Sequence, residues 1–151
     1  MGALCNYGLL KQSVLRDVAG AEELYRRALA QNPAHVHSLF NLANLQREGN
    51  RMAEAMATYK RVLSIDPCNL ASMCNLAILE QRVSRNLAAA EQYFLQCLEC
   101  DPCYCAALVN YASLKMEQRD DASARQLYLR CVSKLARQPC AGILLHSYSS
   151  A

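Results

Sequence analysis

The residues best suited to chemistry are four cysteines in one short stretch, Cys97-x-x-Cys100-x-x-Cys103-x-Cys105. Thiolates at such spacings can hold zinc tetrahedrally or anchor an iron–sulfur cluster. A second pattern, Met1-Gly2-Ala3-Leu4-Cys5, puts Gly and Cys where an acylated N-terminus would carry myristate and palmitate, but the sixth residue is Asn6 where that motif needs Ser or Thr. His35, His37 and His146 are too scattered to form a ligand set, and no Ser, His and acid constellation can be assembled from them. A glycine-rich phosphate loop is also missing. The chain is therefore read as a non-enzyme without a cofactor, and its cysteines must be judged by the elements that carry them.

The composition narrows those elements. The chain has 151 residues, of which 53% are apolar and 19% charged, and this fits one ordered domain. Its net charge of +3 is too small a surplus for a counterion-release footprint on nucleic acid or a polybasic membrane patch. No apolar run approaches the roughly 20 residues that span a bilayer, and the N-terminus does not read as a signal peptide. Nine cysteines in such a chain are read as reduced thiols, in the cytoplasm or another reducing intracellular compartment.

An internal repeat sets the register. Asn6-Tyr7-Gly8, Asn41-Leu42-Ala43, Asn75-Leu76-Ala77 and Asn110-Tyr111-Ala112 recur about 34 to 35 residues apart. A second series, Ala21, Ala55, Ala90 and Ala124, is followed four residues later by Tyr25, Tyr59, Phe94 and Tyr128, and three further on by Ala28, Val62, Cys97 and Cys131. Pro33, Pro67 and Pro102 close three units. Small residues let two helices approach to about 8–10 Å, and the aromatic fills the adjoining gap. One extra residue falls in the inner turn of units one and three, where it rotates no apolar face.

This pattern resembles the tetratricopeptide repeat family over about residues 2–136. The resemblance implies an all-α, right-handed solenoid of four helix pairs, about 2–34, 35–69, 70–104 and 105–136, with residues 137–151 as a short C-terminal capping segment or tail. The family's early aromatic is replaced by Leu4, Leu39, Met73 and Leu108, and Ala136 stands where the closing Pro belongs. In this register Cys97 and Cys131 fill the small core position, and Cys100, Cys103 and Cys105 match Ile65, Cys68 and Val36, which are ordinary core or turn slots.

Stacking such pairs lines the first helices along one concave wall, so that Asn6, Asn41, Asn75 and Asn110 form a ladder. At about 10 Å per helix and 3.3 Å per extended residue, one amide meets a partner's backbone about every third residue, offering a donor and an acceptor. Similar ladders line the peptide-binding superhelix of the O-linked N-acetylglucosamine transferase. An alternative use of the same amides is to bond a neighbouring repeat. Family geometry adds Cys5, Phe40, Cys74 and Val109 to the wall, with His37, Asn44, Arg47, Ile78, Arg82 and Ser113 nearby. A mixed, fairly apolar lining suits an extended or helical protein segment without strong charge. Chaperone-tail clamping is excluded, since Cys5, Leu9, Ala71 and Asn75 stand where its Lys, Asn and Arg are required and Asn41 alone matches.

The expected function is thus a protein-interaction scaffold, with possible self-association through exposed repeat ends. Two rivals stay open: a half-repeat RNA-processing scaffold, suggested by Ala124-Arg125-x-x-Tyr128-x-Arg130, and a substrate-recruiting domain of a larger enzyme.

Overall fold

The computed structural model describes residues 2–136, and every regular element among them is a helix. In chain order these are α1 (Gly2–Ser13), α2 (Val18–Gln31), α3 (Val36–Glu48), α4 (Met52–Ile65), α5 (Leu70–Arg82), α6 (Leu87–Cys100), α7 (Cys105–Glu117) and α8 (Asp121–Ala136). The segment assigned to capping, 137–151, lies outside the described residues.

The helix starts follow from capping. A side chain before each of α2, α3, α5, α6 and α8 accepts a hydrogen bond from a backbone N–H of the first turn: Asp17 from Gly20, His35 from Ser38, Asn69 from Ser72, Asn86 from Ala89 and Asp120 from Ser123. The outer turns at Pro33, Pro67 and Pro102 halt α2, α4 and α6. Each inner turn reverses the chain through one residue at positive φ, Arg16, Asn50, Arg85 or Arg119. The turns after α1 and α5 are one residue longer than those after α3 and α7, so the insertions read from the repeat are absorbed outside the helices.

Helices pair in chain order, α1 with α2 through α7 with α8, and each second helix packs on the next unit's first helix. First helices also touch one another, α1 with α3 and α5 with α7, whereas second helices make no comparable contact. The stack therefore curves towards its first helices, giving an all-α solenoid with an inner wall of α1, α3, α5 and α7.

The register positions hold the core. Ala21, Ala55 and Ala90 are fully buried at the crossings, and Tyr25, Tyr59 and Phe94 fill the gaps with no exposed surface. Gly8, where the other units have Ala, is required by closeness: an added Cβ would lie 2.6 Å from the Tyr25 ring. Polar bonds repeat along the outside as well. Arg61 donates to the Pro33 carbonyl and Arg130 to the Pro102 carbonyl, each at 2.7 Å and each reaching back to the preceding outer turn. At the first joint Arg51 grips Glu22 with two bonds of 2.8 Å, and at the third Lys115 meets Glu91 at 2.6 Å.

The reading of all thiols as reduced is corrected at one pair. Cys68 and Cys100 are joined by a disulfide, with Cα atoms 6.0 Å apart. Cys68 lies in the turn after α4 and Cys100 ends α6, so stacking the second and third pairs brings two residues of different units together.

Candidate functional site, the inner wall

Two adjoining depressions open between α1 and α3. One, of about 230 Å³, is lined by Gly2, Cys5, Asn6, Leu9, His35, His37 and Asn41. The other, of about 250 Å³, is lined by Leu9, Gln12, Ser13, Arg16, Asn41, Asn44 and Glu48. The fold thus brings together Asn6, His37, Asn41 and Asn44 of the sequence-derived wall. It adds Leu9, Gln12, Ser13 and Glu48, which share the turn beyond the ladder and whose only signal was their helical spacing from Asn6 and Asn41.

The ladder asparagines are also structural. Asn41 donates to the Cys5 sulfur at 3.4 Å, Asn75 to the Asn44 carbonyl at 3.3 Å and the Tyr59 hydroxyl at 3.1 Å, and Asn110 to the Ala106 carbonyl at 2.7 Å and the Cys74 sulfur at 3.8 Å. Three of the four amides therefore reach back to the preceding unit, which is the alternative use recognised in the sequence. Asn41, Asn75 and Asn110 are half-buried and Asn6 is exposed. Asn44 is tied down too, accepting from Tyr59 at 2.5 Å, and burial pushes that hydroxyl up to about 12, so it is a neutral donor at every physiological pH.

Further along the wall, Arg82, Val109 and Ser113 are exposed. Phe40 packs its ring 6.1 Å from that of Tyr59, and Ile78 leans on the core of the last two pairs. Cys74 is a core residue, 5% exposed, and burial pushes its thiol up to about 11. It supports Asn110 and offers almost no surface of its own.

The four clustered cysteines go separate ways. Burial pushes the Cys97 thiol up to about 12, and this thiol donates to the Leu70 carbonyl at 3.6 Å. Cys100 is in the disulfide, Cys103 is exposed in the outer turn, and Cys105 points to the Cys131 carbonyl at 3.9 Å. Among the described residues no three His, Cys, Asp or Glu side chains converge as metal ligands. His35 is engaged in capping α3, its Nδ1 lying 2.8 Å from the Ser38 hydroxyl. No helix among the described residues is long and apolar enough to cross a membrane.

The comparisons agree with this architecture. The tetratricopeptide repeat profile matches residues 14–68. No curated protein matches the sequence. Among solved structures, a tetratricopeptide repeat protein from Parabacteroides merdae superposes with a TM-score of 0.78 at 22% identity, covering 93% of this chain and 55% of that one. PilF of Pseudomonas aeruginosa gives 0.78 at 22% identity, over 87% of this chain and 59% of its own. A mutant O-GlcNAc transferase from Thermobaculum terrenum gives 0.67 at 22% identity, over 76% of this chain but 22% of the enzyme. The profile match spans α2, α3 and α4, and the solved structures share the same helix stacking along the rest of the described residues, which together support a helical repeat protein of the tetratricopeptide type.

Proposed function

We infer that this chain is a scaffold that binds an extended segment of another protein along the inner wall, through the asparagine ladder and the side chains beside it. One observation carries this reading: Asn6, His37, Asn41 and Asn44 line two contiguous depressions on the concave side. Because the ladder N–H groups partly serve the preceding repeat, the carboxamide oxygens of Asn41, Asn75 and Asn110 are the groups best placed to accept from a ligand's backbone N–H. The amides then hold neighbouring repeats in register and present acceptors at the spacing of that register. The exposed Arg82, Val109 and Ser113 extend the wall towards α7.

A peptide selected from a phage-displayed random library on the folded protein serves as the probe. Changing Asn41, Asn75 and Asn110 together to Ala is expected to weaken its binding at least tenfold by calorimetry, with helix content by circular dichroism retained. Since Asn75 also bonds Tyr59, Val109→Asp combined with Ser113→Asp is a second variant that obstructs the wall and leaves those inter-repeat bonds alone. Undiminished affinity in both folded variants would reject the ladder.

A second reading has its own support: the Thermobaculum enzyme carries this fold in a fraction of its length, so the same wall suits a unit that recruits a protein substrate to a catalytic domain.

A further inference from the structure

The two ends of the described stack, α1 and α8, carry matching halves of a joint that recurs three times among the described residues. At each internal joint, the aromatic of a second helix packs on two positions of the next first helix, one directly after the ladder asparagine and one three residues beyond. Tyr25 meets Leu42 and Leu45, Tyr59 meets Leu76 and Leu79, and Phe94 stacks on Tyr111 at 5.8 Å beside Leu114. All of these side chains are buried. At the ends, the equivalent residues lie open: Tyr128 on α8 is 36% exposed, and Tyr7 and Leu10 on α1 are 49% and 46% exposed. Val132, the counterpart of the buried Leu98, is 59% exposed and lines an apolar depression of about 410 Å³ with Met116, Tyr128 and Leu129.

We propose that α8 of one molecule docks on α1 of a second copy, head to tail, reproducing the internal joint with Tyr128 against Tyr7 where Phe94 meets Tyr111. The occupant is a second copy because each exposed half fits the other by repeat register, and the new contact continues an interface already established three times in the chain. Charge agrees at the rim. The Glu22–Arg51 pair of the first joint is replaced at the ends by Arg125 on α8 and Asp17 before α2, which are the same positions with the signs exchanged. Lys11 shares that rim and bonds Asp17 at 2.6 Å, so Arg125 approaches a carboxylate already held in place. Such a contact is heterologous, and every added copy presents a fresh α8.

Sedimentation of the full chain over a concentration series tests this. Wild type is expected to grow beyond monomer mass, whereas Tyr7→Asp and Val132→Asp, each altering an exposed side chain, are each expected to stay monomeric. Mixing the two variants is expected to give a 1:1 dimer that grows no further, because each supplies the intact half that the other lacks, and Arg125→Glu in the Tyr7→Asp partner should weaken that dimer about tenfold. Wild type monomeric throughout, as when residues 137–151 or some other protein covers α8, overturns the proposal. So does a Tyr7→Asp variant that self-associates on its own, the mark of a symmetric α8–α8 contact.

Discussion

The aromatic at the middle of each second helix occupies one sequence position and two environments. Tyr25, Tyr59 and Phe94 are sealed by the next unit's first helix, whereas Tyr128 has no such helix over it among the described residues and lies partly open beside Met116. The difference teaches that a solenoid position has no fixed energetic value: part of the burial at the aromatic comes from its own unit and the rest from the neighbouring one, as nearest-neighbour stacking requires.

The sharpest way to break that comparison is truncation at both places. Phe94→Ala is expected to cost about 3–5 kcal/mol by urea unfolding, the usual range for emptying a closed aromatic site. Tyr128→Ala should cost less, and equal losses would mean that the end is as closed as the interior. Next in size is the Cys68–Cys100 bond, which links the second and third pairs and has no counterpart at the other two joints among the described residues. Cys68→Ser should lower stability by about 3.7 kcal/mol, the loop-closure value for its sequence separation of 32, and reducing agent should lower wild type but leave the variant unchanged.

A smaller effect comes from the ion pairs that span joints. The Arg51 hydrogen bonds hold the Glu22 carboxyl below its ordinary value of 4.5, and the Lys115 and Tyr111 bonds do the same for Glu91. A carboxylate whose folded value is lowered contributes in full above the unfolded value and loses that contribution as pH falls through the folded one. The stability that these pairs add should therefore be present near neutrality and fade below about pH 4.5. Glu22→Gln should cost about 1.5 kcal/mol at pH 7 by thermal or urea unfolding and flatten the acid limb. An unaltered acid limb would place the pH dependence elsewhere.

Much of the fold was legible because small and aromatic residues recur at positions that only helix crossings require. The extra residues of units one and three were readable for a related reason: they could fall in turns and nowhere else. The Cys68–Cys100 bond was not legible, since register pairs Cys68 with Cys103, whereas contact depends on how far one unit's outer turn overhangs the next. Arg16, Arg85 and Arg119 at positive φ gave no signal either, because tertiary closure of the inner turns outweighs local preference there, and of the four turns only that at Asn50 carries a residue suited to this conformation. At the wall, the ladder was visible as a line of amides, but its bonds back to Cys5, Asn44 and Cys74 depend on how closely the first helices approach.

The most direct measurement is a contact map of a selected peptide carrying a photoreactive group, crosslinked to the folded chain and located by mass spectrometry. The account predicts crosslinks confined to α1, α3, α5 and α7, centred near Asn6, Asn41 and Asn44 and advancing towards Val109 as the reactive group moves along the peptide. Crosslinks concentrated on the outer faces of α2, α4 and α6 would contradict it.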